Sequence, residues 1–104
     1  MACGKQVITT NYSAHTQFCN KENSHLIDIT NLETAHDGVF FSGSHGMWAN
    51  LSSDQEEQLV SHMRAIHQNK QSGLQLNIAG IKTANNLSWH NSAQEVINGL
   101  QHTT

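Results

Sequence analysis

The stretch that decides the fold is HDGVFFSGSHGMWA, residues 36–49, read together with HLIDIT, residues 25–30. Asp37-Gly38 is a dipeptide that two-residue hairpin turns favour, because both central residues need positive φ. Strands are expected on either side of it, at His25–Thr30 and Val39–Ser42, with Met47–Leu51 following the Gly43–Gly46 run. A two-residue turn sets His36 opposite Val39. One face of the ribbon then carries Leu26, Asp28, Val39, Phe41, His45 and Met47, and the other carries Ile27, Ile29, Phe40, Ser44 and Trp48. Neighbours in a strand point opposite ways, so Phe40 and Phe41 cannot share a face. Large apolar groups are therefore expected on both.

Outward from this ribbon, the clearest element is a helix over residues 54–71. Ser53 and Glu56 have the spacing of a capping box, and Asp54, Glu56 and Glu57 suit the positive helix end. Leu59, Val60, Met63 and Ile66 form an apolar stripe about 120° wide. His67 falls within that stripe and reads as a core residue, whereas His62 at its flank reads as solvated. Gly73 supplies a stop. A second helix is expected over 93–102, opened by Ser92 and Glu95, with Ala93, Val96, Ile97 and Leu100 on one face. Between the helices, residues 74–78 (LQLNI) alternate with period two, the pattern of a half-buried strand. Gln6–Thr10 reads as a weak strand, and residues 11–24 and 83–91 read as loops.

The expected fold is a single α+β domain over residues 1–104, with 1–4 and 103–104 frayed. Its order is β-β-β-β-α-β-α: a two-layer sandwich with a mainly antiparallel sheet of four to five strands and two helices on one face. One hundred and four residues leave room for one core.

Composition narrows the function classes. Of the 104 residues, 46 are Asn, Gln, Ser, Thr or His, while only 12% are charged and the net charge is −3. Lys5, Lys21, Arg64, Lys70 and Lys82 are scattered, which argues against a nucleic-acid footprint. No apolar run reaches the roughly 20 residues of a membrane span. Two cysteines, Cys3 and Cys19, are too few for a disulfide scaffold and read as free thiols of a cytoplasmic protein, although pairing between them stays open.

Eight histidines raise metal and acid–base chemistry. His62 and His67 lie about 140° apart around the helix, and no CxxC, HExxH or HxH spacing occurs, so no metal site and no cofactor are expected. His45 is diagonal to Asp28 in the ribbon register, and His36 lies on the same face. An Asp–His pair could orient a general base, but Ser44 points away and no nucleophile accompanies it.

Two helices on one side cover one sheet face. The other, with Ile27, Ile29, Phe40 and Trp48, needs a cover from the 11–24 loop, an apolar ligand or a second copy. The leading expectation is a non-enzymatic cytoplasmic interaction module, a homodimer with those four residues at its interface or ligand surface. The first alternative is a small enzyme using His45 with Asp28, or His36, at a cleft or dimer interface. In that reading His15 or Cys19 joins from the loop. The second is an acidic inhibitor of a larger complex, presenting Asp54, Glu56 and Glu57.

Overall fold

The structure is a computed structural model that describes residues 1–73 and 75–102, with only the backbone of His45. Four strands come first: β1 (Ile8–Thr10), β2 (His25–Ile27), β3 (Leu32–His36) and β4 (Ser42–Ala49). A 3-10 turn, Ala14–Gln17, lies between β1 and β2. Three helices follow: α1 (Ser53–Gln71), α2 (Ile78–Asn86) and α3 (Trp89–His102).

The chain is mixed α and β, but the single antiparallel sheet expected from the sequence is replaced by two separate ribbons. β1 and β2 pair in parallel, and β3 and β4 pair antiparallel. The order is β-β-β-β-α-α-α. The expected strand over 74–78 is absent among the described residues, and Leu74 lies outside them. Asn77 instead caps α2, its side-chain carbonyl accepting the Gly80 N–H at 2.9 Å. The period-two signal covered five residues, and one capping interaction outweighs it. The loop expected over 83–91 is the end of α2 and the start of α3. Ser88 rather than Ser92 opens α3, its hydroxyl accepting the Asn91 N–H at 3.1 Å. The cap of α1 is likewise one residue early: the Ser52 N–H donates to Gln55 Oε1 at 2.9 Å.

β1 and β2 are joined by residues 11–24, which supply the long crossover that parallel strands require. The pairing is Ile8 to His25, Thr9 to Leu26 and Thr10 to Ile27. It leaves Leu26 and Asp28 facing the far edge of β2, where unpaired backbone groups would lie open. Side chains of α1 close that edge. His62 Nε2 donates to the Leu26 carbonyl at 2.8 Å. Gln58 Oε1 accepts the Asp28 N–H at 2.8 Å, and Gln55 Nε2 donates to the Asp28 carbonyl at 3.1 Å. Residues 55, 58 and 62 recur at helical spacing, so one face of α1 delivers all three.

The packed centre is correspondingly polar. Asn23, Ser24, Gln55 and Asn77 are buried, as are Cys19 and Ile27, while Ala35 is buried on β3. Asn77 Nδ2 donates to the Asn23 carbonyl at 2.7 Å and to the Lys5 carbonyl at 3.2 Å. Asn23 Nδ2 donates to the Phe18 carbonyl at 2.7 Å and to Thr83 Oγ1 at 2.9 Å. These amides tie the N-terminal segment, the crossover and α2 together. Gly4 completes the junction at φ +73°. A Cβ there would stand 3.1 Å from Leu76 Cδ2 and 3.2 Å from Ile81 Cδ1.

Little of the apolar content joins this centre. Among the described residues, the elements that pack side by side are β1 with β2, β3 with β4, and α1 on β1 and β2. The radius of gyration is 17.7 Å, against about 13 Å for a compact chain of this length.

Candidate functional site

The surface that carries the strongest signal is apolar, and it begins at the β3–β4 hairpin. The hairpin does not turn at Asp37-Gly38. Leu32, Glu33 and Thr34 pair with Ala49, Trp48 and Met47, whereas His36 pairs with Ser42. The connection is therefore residues 37–41, held by the Asp37 carboxylate. Its Oδ1 accepts the N–H groups of Val39, Phe40 and Phe41 at 2.8, 2.8 and 2.9 Å. The bonds from Phe41 and Val39 hold the Asp37 carboxyl below its ordinary 3.8, because they favour the ionised form. Folding the loop around its own carboxylate leaves Val39 79% and Phe40 81% exposed. Between the two paired segments, β4 carries Gly43–Gly46 against Ala35 alone. This bulge is permitted by Gly43 at φ +98° and Gly46 at φ +114°.

The four expected interface residues do not share one face. Ile27 is buried in β2 and Ile29 is half-buried after it. Phe40 projects from the hairpin loop, and Trp48 is half-buried in β4. The Trp48 indole N–H donates to Glu33 Oε1 at 2.8 Å, and its ring meets Phe41 edge-on at 6.1 Å. Trp48 also lines an open cleft of about 700 Å³ with Thr10, Tyr12, His15, Glu33, Met47 and Leu51.

The helices continue the exposed apolar surface. α1 docks through Gln55, Gln58 and His62, so its stripe of Leu59, Val60 and Met63 turns to solvent. Of that stripe, Ile66 alone is half-buried. On α3, Trp89, Val96, Ile97 and Leu100 recur on one face, and all are exposed, Trp89 at 93%. A helix of this length is marginal alone and depends on burying such a face.

The acid–base candidates lie apart. His36 is exposed on β3 opposite Ser42, and the His45 side chain lies outside the described residues. Asp28 shares a cleft of about 340 Å³ with His62, Asp54 and Glu57. The imidazole beside Asp28 is thus His62, which the sequence suggested was solvated; it is half-buried and hydrogen-bonded. His67, expected in the core, is exposed and bonds Gln71 at 3.1 Å. The rotation of α1 about its axis exchanges the two. His15 Nε2 bonds the Thr10 carbonyl, and Cys19 is a buried free thiol while Cys3 is an exposed one. Among the described residues no three His, Cys, Asp or Glu side chains gather as a metal site, and no helix is long and apolar enough to cross a membrane.

Sequence reasoning missed His25 and His62, whose rings meet at 5.4 Å across the contact between β2 and α1. Burial, then the neighbouring His62, holds the His25 imidazole below its ordinary 6.5. Their sequence signal was slight, since the pair forms only when α1 lies along the edge of β2. No protein-family model, curated protein or solved structure matches this chain.

Proposed function

We propose that the chain is a small non-enzymatic interaction module that acts as a cytoplasmic homodimer, two copies covering each other's apolar surfaces. The observation that carries this reading is the inverted use of α1. Its amide and imidazole face is docked, while Leu59, Val60 and Met63 face outward together with Phe40 and the α3 stripe. Soluble monomers rarely leave apolar surface of this extent uncovered, and self-complementary two-fold pairing is the commonest way to cover it. The low charge of the α3 surface favours a second copy, since α3 carries Glu95 as its single carboxylate. Of the acid–base candidates among the described residues, His36 is exposed on β3 whereas Asp28 lines a cleft with His62, which favours binding over catalysis. The two free thiols, one of them exposed, suit a reducing compartment.

Light scattering on the variants Phe40→Ser and Met63→Ser tests this reading. Both positions are exposed, so each variant should keep the helix content of the parent. Association should weaken about tenfold or more where a central apolar anchor is removed. A particle mass unchanged by both substitutions at every concentration would contradict the proposal.

A further inference from the structure

A second feature lies further along the docked face of α1, toward its C-terminal end. A cleft of about 500 Å³ opens between residues 3–6, the C-terminal turns of α1 and residues 75–76. Its volume falls within the roughly 300–1,000 Å³ of small-molecule sites. Its walls are tied together. The Asn77 N–H donates to the Gly4 carbonyl at 2.8 Å, and Asn77 Nδ2 reaches the Lys5 carbonyl. Gln6 Nε2 donates to the Gln75 carbonyl at 3.3 Å, while Gln6 Oε1 accepts from His25 Nε2 at 3.1 Å.

The charge of the lining is one-sided. It includes Lys5, Lys70 and the His25 imidazole and, among the described residues, no carboxylate. That is two of the five Lys and Arg residues in a chain whose net charge is −3. Ile66 and Leu76 supply apolar groups, and Asn69 and Gln75 supply neutral polar groups. Asp28, Asp54 and Glu57 line the separate cleft that His62 borders. Ile66 and Lys70 stand one turn apart on α1, with Lys5 and Leu76 on the facing segments, so two cations and two aliphatic side chains share the cleft and fit a ligand with a charged head and an apolar body.

We propose that this cleft binds a small organic anion, a carboxylate or phosphate group carried on a short apolar body, with Lys5 and Lys70 meeting the head and Ile66 and Leu76 the tail. His25 adds a pH dependence. Its surroundings are His62 on α1, the ammonium groups of Lys5 and Lys70, and the Cys3 thiol. Burial, then the neighbouring His62, disfavours its protonation in the empty site, and a bound anion opposes them. Binding should therefore tighten as pH falls through the range in which His25 gains its proton.

Calorimetric titration of the full chain with hexanoate and with hexyl phosphate, using hexylammonium as the charge-reversed control, tests the assignment. Either anion should bind, hexylammonium should not, and Lys5→Gln with Lys70→Gln should weaken anion binding about tenfold. Both lysines are exposed, so the helix content of the double variant should match the parent. Amide shifts mapped on the unmodified chain give an independent readout, with perturbation expected at Gln6, His25 and Leu76. Equal binding of hexylammonium, anion binding unchanged in the double variant, or no anion binding at millimolar concentration would overturn the assignment. Loss of dimer formation in the Phe40→Ser variant leaves this test intact, because neither Phe40 nor Met63 lines the cleft.

Discussion

The two ribbons of this molecule solve the same problem differently. The β1–β2 pair has its open edge closed by three side chains of α1, at Leu26 and Asp28. The β3–β4 hairpin has no such helix packed along it among the described residues. Its loop is instead organised internally by Asp37, with Val39 and Phe40 left outside. A two-stranded ribbon is marginal by itself; the first is supported by α1, whereas the second receives from the first half of the chain the Tyr12 hydroxyl, which donates to the Met47 carbonyl at 3.2 Å. The difference shows that α1 docks through polar side chains and leaves Leu59, Val60 and Met63 exposed.

Three experiments would break or sharpen this contrast. The largest effect is expected from Asn77→Ala, which leaves the Asn23 and Lys5 carbonyls and the Gly80 N–H without their partner. Unpaired buried groups cost about 1–3 kcal/mol each, and a loss of about 3 kcal/mol in denaturant unfolding is expected. Val96→Ala on the exposed face of α3 should change the unfolding of the dilute monomer by less than about 0.5 kcal/mol. Equal costs for the two would erase the distinction between the packed and the unpacked regions.

A smaller effect is expected from Gln58→Ala. Removing the acceptor of the Asp28 N–H should cost about 1 kcal/mol, and hydrogen exchange should quicken at Asp28 while protection across β3–β4 stays as it was. Exchange that quickens equally in both ribbons would mean that they are held as one unit.

The smallest effect is a pH dependence at the contact between β2 and α1. The folded state holds His25 below its unfolded value near 6.5, so folding favours the neutral ring. The associated stability is complete above about pH 6.5 and is lost as pH falls through the folded value. Stability measured between about pH 7 and about pH 5 should decline, and His25→Gln should flatten that decline. A decline unchanged by the substitution would assign it to other groups.

How much of this was legible in the sequence depends on the range of the interaction. α1 was readable because its stripe, its acidic first turn and its stop all lie within twenty neighbouring positions. Its axial rotation was not, because the stripe predicts which face is apolar and says nothing of which face docks. The reversal of His62 and His67 relative to expectation followed from that. Turn chemistry at Asp37 was readable as a hairpin signal, but the same carboxylate holds a five-residue connection, which moved every pairing in the ribbon. The parallel pairing of β1 and β2 and the cleft between Lys5 and Lys70 join distant positions and leave no local period. Apolar residues on both sides of the 36–49 stretch were visible from Phe40 and Phe41 alone, and the expectation of uncovered apolar surface came from there.

The most direct test of the central claim is sedimentation velocity of the purified chain across the micromolar range. Two copies covering each other's apolar faces predict a particle of twice the 11.5 kDa chain mass, dissociating only on dilution. A single 11.5 kDa species throughout that range, with the chain remaining in solution, would contradict it.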